Sequence, residues 1–148
     1  MAGNPLVPQG TLNRLRGSLV VPLYPQLNVT AAYLDRGGIS LAFNDQASLR
    51  LRTMTGVVLS GEPYQECTVT VNLLKTQSLS QAWETQRQTN AAIGNVSITT
   101  DATSLSEYDL QNCSIITVRE LSFNGEVQAY VLTIGGYYSV NQQLWDLV

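Results

Sequence analysis

The sequence predicts a mainly β protein, an antiparallel β-sandwich or barrel with one flanking α-helix at about residues 79–90. Several short segments alternate apolar and polar residues, which is typical of half-buried strands. Glycine, proline and asparagine clusters separate these segments, and one segment alone has helical spacing. The 148 residues are about the length of one domain, and no internal repeat divides them.

The N-terminal segment is predicted to be an arm. Residues 1–16 contain two prolines and two glycines and have no hydrophobic period, so we expect them to be extended. Residues 17–148 then form a single β-sandwich or barrel domain. The first strand of this domain begins near Ser18 and is ended by Pro22, which suits an edge strand because proline lacks the N–H that a central strand needs.

Three further segments before residue 60 read as strands. Residues 39–43 alternate after a predicted turn at 35–38. Residues 49–52 alternate leucine with arginine, and residues 56–59 form a short apolar run before the next turn.

The clearest strand is predicted at residues 67–73. One face of this strand is apolar and is expected to lie in the core, whereas the other face is polar but uncharged. The apolar residues are Cys67, Val69, Val71 and Leu73, and the polar residues are Thr68, Thr70 and Asn72.

The period changes to that of a helix at about residues 79–90. Ser78 and Gln81 have the spacing of a capping box, and Gly94-Asn95 is expected to end the helical region. Because no second helix is predicted, the apolar stripe of this helix must pack on a sheet or on a neighbouring subunit. The stripe consists of Leu79, Ala82 and Trp83, with Glu84 and Arg87 on the opposite side.

The last third of the chain predicts more strands. A short strand is expected at 96–99, and strands at 112–121 and 127–134 are expected to form a hairpin across 123–126, because Asn-Gly between alternating segments favours a tight turn. Gly135-Gly136 is expected to kink the exit of the last strand.

Composition excludes several functional classes. The net charge of −3 and the pI near 4.7 argue against a nucleic-acid-binding domain. Histidine is absent, which removes the commonest general base and the commonest metal ligand, and no other catalytic or cofactor motif is present. We therefore expect no enzyme activity, no cofactor and no metal. No apolar run approaches the roughly 18 residues that span a bilayer, so no stable membrane insertion is expected.

The two cysteines are expected to be reduced and buried. Cys67 and Cys113 stand far apart in apolar, strand-like segments, where free cysteine behaves as a small hydrophobic residue. A disulfide remains the alternative, and it needs facing strands and an oxidising compartment.

Assembly is indicated by three features of the sequence. Charged residues make up 13% of the chain, against roughly 25% in typical soluble domains. Residues 1–60 hold five arginines and two carboxylates, whereas residues 61–148 hold three cations and nine carboxylates, which suits head-to-tail contacts between copies. Arg50 and Arg52 share one strand face, where an ion pair with another subunit is favoured over a phosphate contact.

The arm 1–16 and the stretch 44–66 are predicted to contact other subunits. Both are weakly periodic and contain apolar groups that a single domain would not leave exposed. The candidate inter-subunit residues are Leu6, Leu12, Arg14, Arg50, Arg52, Val57 and Val58.

A set of short segments, in order along nearly the whole chain, carries a resemblance to a known family. They are the opening NPLVPQGTLNRL, Met54-Thr55-Gly56, Glu62-Pro63-Tyr64 before TVTVNLLKTQ at 68–77, Thr103-Ser104-Leu105-Ser106, and IGGYY at 134–138 with Trp145. In this combination the chain resembles the tail tube protein of contractile-tailed bacteriophages.

The resemblance implies a β-barrel-like fold with one flanking helix, and stacked homohexameric rings that form the hollow inner tube of the tail. The expected partners are further copies of the chain, the tail sheath protein, and baseplate and tail-terminator proteins, and DNA passes through the lumen without specific binding. The expected location is the virion tail, assembled in the host bacterial cytoplasm. A non-polymerising adaptor or terminator of the same tail, and the similarly folded tubes of type VI secretion systems or phage-tail-like bacteriocins, remain alternatives.

Thr68, Thr70 and Asn72 are the candidate lumen-facing residues. Their strand face carries no charge over three successive positions, whereas a free surface usually carries Lys and Glu. A cationic lumen would bind phosphates through counterion release and would retain DNA, so a hydroxyl- and amide-lined face suits a conduit.

Overall fold

Eight strands and two helices make up the part of the chain that the computed structural model describes, which is residues 16–101, 105–118 and 121–145. The strands are β1 (Gly17–Val20), β2 (Leu34–Phe43), β3 (Ser48–Arg52), β4 (Val57–Gly61), β5 (Tyr64–Leu74), β6 (Ala92–Thr100), β7 (Tyr108–Val118) and β8 (Ala129–Ser139). The helices are α1 (Leu79–Thr89) and the single turn α2 (Gln142–Trp145), and short 3₁₀ turns lie at Pro25–Leu27 and Ala31–Tyr33.

Six of the strands form one antiparallel sheet in the order β1-β6-β7-β8-β5-β2. The sheet curls into a nearly closed barrel whose two edge strands are β1 and β2. Strands β3 and β4 form a separate two-stranded sheet, hereafter the hairpin, inserted between β2 and β5. The predicted mainly β barrel-like fold with one flanking helix is confirmed, as is the edge position of the first strand.

The core lies on the concave side of the sheet. Along β5 the predicted alternation is confirmed, because Cys67, Val69, Val71 and Leu73 are buried while the residues between them are half-buried. Strand β8 runs beside β5 over its whole length, from Tyr64 opposite Ser139 to Leu74 opposite Ala129. Leu132 and Ile134 of β8 are fully buried in the same cluster.

Helix α1 packs on this core side. Leu79 and Trp83 are buried in the core cluster, and the predicted range of 79–90 is confirmed to within one residue. The predicted capping box does not form, because Ser78 already has a helical backbone (φ −69°, ψ −15°) and its hydroxyl makes no cap bond. The hydroxyl of Ser80 instead donates to the Gln77 carbonyl at 3.0 Å.

Two glycines predicted to mark turns lie inside strands. Gly38 (φ +63°) is in β2, where the register with β5 shifts between Leu34 and Ile39. Gly94 (φ +79°) is in β6, where the register with β7 shifts on both sides of it. The prediction that Gly94 ends the helical region is therefore wrong, since α1 ends at Thr89. Glycine tolerates positive φ in a bulge as readily as in a turn, so local sequence does not distinguish the two.

The β7–β8 connection is wider than predicted. The strands are antiparallel neighbours, but they end at Val118 and begin again at Ala129, so Asn124-Gly125 lies within a longer loop. The Asn124 side-chain oxygen accepts hydrogen bonds from the N–H groups of Glu126 and Val127, at 3.0 and 3.1 Å. These bonds close a local turn, but β7 and β8 do not reach it.

Candidate assembly surfaces

The predicted lumen residues lie together on the convex face of the sheet, opposite the core. Thr70 of β5 is aligned with Ser40 of β2 on one side and with Thr133 of β8 on the other. The centre of this face is therefore a row of hydroxyl groups across three strands. Because α1 packs on the concave side, the helix does not cover this row.

Two of the three predicted lumen residues also have structural contacts. The Thr68 hydroxyl accepts a hydrogen bond from Asn44 Nδ2 at 2.8 Å. Asn72 Nδ2 donates to the Gly38 carbonyl at 3.0 Å, and a Cβ at Gly37 would lie 2.9 Å from the same nitrogen. Asn72 therefore holds the β2 bulge, a contact that the sequence pattern did not predict.

The barrel formed by the described residues encloses no channel, because side chains fill its interior. The middle of the barrel holds the buried core cluster. At the end of the sheet near the hairpin, Phe43, Tyr108 and Tyr138 pack against one another with ring centroids 5.7 to 6.2 Å apart. Any conduit therefore has to form between copies, on their outer faces.

The hairpin is the most exposed element that the structure describes. Every residue from 48 to 59 is exposed, and Met54 at the tip is fully so. At its base, Asn141 Nδ2 donates to the carbonyls of Ala47 (2.8 Å) and Glu62 (2.7 Å), one on each side of the hairpin. The hairpin is thus anchored to the body while its own side chains stay uncovered.

The register of the hairpin gives it two different faces. Leu51 is opposite Val58, so one face is aliphatic, and it also carries Leu49. The other face, hereafter the arginine face, carries Arg50, Arg52, Val57 and Leu59, since Arg50 is opposite Leu59 and Arg52 is opposite Val57. The predicted common face of the two arginines is confirmed. Within the described ranges the ion pairs are Arg16–Asp101 and Arg87–Glu84, so neither hairpin arginine has a carboxylate partner there.

The remaining candidate contact residues divide into two groups. Val57 and Val58 lie on opposite faces of the hairpin and are more than half exposed. Leu6, Leu12 and Arg14 lie outside the described residues, so their inter-subunit role stays a prediction.

A groove that the sequence pattern did not reveal lies beside the hairpin, on the convex face. It has a volume of about 720 Å³ and its floor is the backbone of Gly135 and Gly136. Tyr64 and Tyr137 form one wall, with ring centroids 5.4 Å apart. The tyrosines are 73 positions apart in the chain, so only strand pairing could bring them together.

Both cysteines are buried and free, as predicted. Burial is the main cause that raises the pKa of each thiol to about 11. Because the thiolate is the nucleophile, neither group is activated for covalent chemistry at neutral pH.

Other kinds of site are not evident in the described ranges. There, no group of three or more His, Cys, Asp or Glu side chains is placed to hold a metal ion, and no helix is long and apolar enough to cross a membrane. Comparison with protein-family models and with curated proteins finds no match to this chain.

Proposed function

We propose that this chain is a structural subunit that assembles with copies of itself into stacked homohexameric rings, forming the hollow inner tube of a contractile phage tail. The exposed hairpin carries this proposal. A two-stranded hairpin alone is at best marginally stable in water, and every residue from 48 to 59 of this one remains exposed on its own subunit.

The aliphatic face of the hairpin supports assembly over a monomeric role. Leu51 and Val58 are more than half exposed and directly opposite each other, and Leu49 extends the same patch. Contiguous exposed apolar patches on soluble proteins mark interaction sites. A second copy of the chain is the partner that the low charge and the opposite charge of the two chain segments favour.

The β2 edge of the sheet offers a second contact between copies. Strand β2 has one side without a strand partner in the six-stranded sheet, whereas the outer side of β1 is bridged at Leu19 by Val29, with N–H to O distances of 2.9 and 2.8 Å. Free edges invite pairing with another chain, and a closed ring removes them. The six-fold symmetry itself comes from the family resemblance.

The convex face supports the role of a conduit. Its centre carries Ser40, Thr70 and Thr133 and no charge. Short hydroxyl groups stay hydrated and give DNA phosphates no cation to bind, so DNA passes such a wall without being held. The proposed partners beyond the tube are the sheath, baseplate and tail-terminator proteins, and the proposed place is the virion tail, assembled in the bacterial cytoplasm.

The experiment is an assembly assay on the purified chain by sedimentation velocity and negative-stain microscopy. We expect rings or tubes for the unmodified protein. The variant L51S/V58S is expected to remain monomeric with an unchanged circular dichroism spectrum, because its substitutions touch no core residue.

F123S is the matched control, since Phe123 is 93% exposed but lies in the loop at the opposite end of β8. It is expected to assemble like the unmodified protein. A monomer at all concentrations for the unmodified chain contradicts the proposal, and rings that never stack favour the adaptor alternative.

A further inference from the structure

The groove on the convex face has the chemistry of a site for guanidinium groups. Glu66 is exposed at the groove and lies directly across from Tyr137 in the β5–β8 pair. Arginine stacks on tyrosine rings and pairs with carboxylates, so an aromatic wall next to a carboxylate suits it. Ile116 adds an aliphatic surface beside the floor at Gly135.

The charge of the groove disfavours a phosphate backbone as its occupant. Glu66 is the one charged residue among the described residues that line the groove, and the Asp45 carboxylate, outside the lining, accepts the backbone N–H of Glu66 at 3.2 Å. Among the described residues no cation pairs with Glu66. The groove therefore favours a positively charged, partly aliphatic ligand.

The arginine face of the hairpin has the matching chemistry. Arg50 and Arg52 are two positions apart on one strand, about 7 Å from each other, and both point to the same side. Leu59 and Val57 lie directly opposite them. The face thus offers two guanidinium groups next to two aliphatic side chains, and the groove offers a carboxylate, two aromatic rings and Ile116.

We infer that the groove of one copy receives the arginine face of the hairpin of a second copy. Two different surfaces meet in such a contact, so it is head-to-tail and can continue around a ring. The inference rests on the proposed function, because it names the contact by which the copies assemble.

The first test is disulfide cross-linking between two variants in assembled material. L59C places a thiol on the arginine face, and Q111C places one at the exposed lining of the groove. Mixed assemblies are expected to give a cross-linked dimer under mild oxidation, while Cys67 and Cys113 stay silent because they are buried. The matched control is L59C with E126C, whose position is exposed in the loop at the opposite end of β8.

Three cross-linking results would overturn the inference. The first is that assemblies form but give no cross-linked dimer. The second is that the E126C control gives a dimer in equal yield. The third is that a single copy carrying both L59C and Q111C forms an internal disulfide whose yield does not fall on dilution. The last result would assign the groove to the hairpin of the same copy.

The second test is a charge exchange. R50E/R52E and E66R are each expected to raise the protein concentration needed for assembly by about tenfold or more. The combination of all three substitutions is expected to restore assembly in part. Q81E/T85E is the control, because it adds negative charge at two exposed positions of α1, away from the hairpin and the groove. If R50E/R52E assembles normally, or if the combination restores nothing, the inference is wrong while the proposed function stands. If the unmodified chain never assembles, the proposed function fails first.

Discussion

The Tyr130 hydroxyl donates a hydrogen bond to the Glu84 carboxylate and so joins strand β8 to helix α1. Glu84 also accepts bonds from Arg87 Nε at 3.0 Å and from Gln88 Nε2 at 3.1 Å. The sequence pattern placed Glu84 and Arg87 opposite the apolar stripe of the helix, and their ion pair does form. Glu84 nevertheless also reaches the sheet, so this carboxylate links helix to barrel.

The first prediction concerns the pH dependence of stability. The hydrogen bonds from Arg87 and Tyr130 lower the pKa of Glu84 to about 2. A carboxylate whose pKa is lower in the folded than in the unfolded state stabilises the fold above its unfolded pKa, and this contribution is lost as the pH falls towards 2. E84Q is therefore expected to lose less stability than the unmodified protein between about pH 5 and pH 2.

The measurement is urea denaturation at a series of pH values, under conditions in which the protein is monomeric. Y130F is the companion variant, and loss of a hydrogen bond to a charged group is expected to cost about 1.5 to 3 kcal/mol at neutral pH. If the free energy of unfolding falls equally with pH for E84Q and the unmodified chain, the lowered pKa of Glu84 does not contribute to the acid sensitivity of the fold.

The second prediction concerns the close approach of β8 to Cys113. A Cβ at Gly136 would lie 2.5 Å from the Cys113 sulfur, closer than atoms can pack. G136A is expected to destabilise the fold by about 1 to 3 kcal/mol, the usual cost of overpacking a core. G125A is the matched control, because a Cβ there meets no atom within 4 Å, and thermal melting compares the two.

A double variant tests the physical cause. C113A removes the sulfur that the new methyl group would meet, so G136A is expected to cost less in the C113A background than alone. Equal costs in both backgrounds would show that the strain arises elsewhere, for instance at the Gln111 carbonyl, which lies 3.3 Å from the same Cβ position.

The third prediction concerns thiol reactivity. Burial raises the pKa of both Cys67 and Cys113 to about 11, so almost no thiolate is present at pH 8. Titration of the native protein is expected to be slow, and denaturation without reductant is expected to release two reactive thiols. If denaturation released none, the cysteines would be oxidised and the prediction of reduced thiols would be wrong.

The fourth prediction tests the lumen. T70K/T133K places two cations at the centre of the hydroxyl row, where a long side chain can extend along the surface. Assembly is expected to persist, while tubes gain affinity for DNA at low salt and virions release DNA more slowly. T85K/T89K adds the same charge on exposed positions of α1 and is expected to leave both properties unchanged. Loss of ring formation in T70K/T133K alone would show that the hydroxyl row is itself a subunit interface and does not line the lumen.

The fifth prediction concerns the N-terminal segment. Deletion of residues 2–12 removes Leu6 and Leu12 and is expected to abolish tubes while leaving a folded subunit, since the segment precedes β1 and a core cluster is present among residues 19–134. Sedimentation velocity and circular dichroism measure the two outcomes. Unchanged polymerisation would show that the arm is not an assembly contact.

The sequence by itself determined the features that depend on local periodicity. Alternation over 67–73 assigned Cys67 and its neighbours to the core and Thr70 to the opposite face, because the side-chain period of a strand is two whatever its partners. Helical spacing located α1 to within one residue, because its apolar stripe repeats within the segment itself. The common face of Arg50 and Arg52 followed from the same rule.

Only the tertiary structure decided which segments meet. Gly38 and Gly94 mark bulges and not turns, because a glycine at positive φ serves both and the neighbouring strand makes the difference. The tyrosine wall of the groove joins residues 64 and 137, whose approach depends on the pairing of β5 with β8. The sequence pattern predicted the two strands of the hairpin. It did not predict that the hairpin stands apart from the six-stranded sheet, because that depends on how the rest of the chain packs.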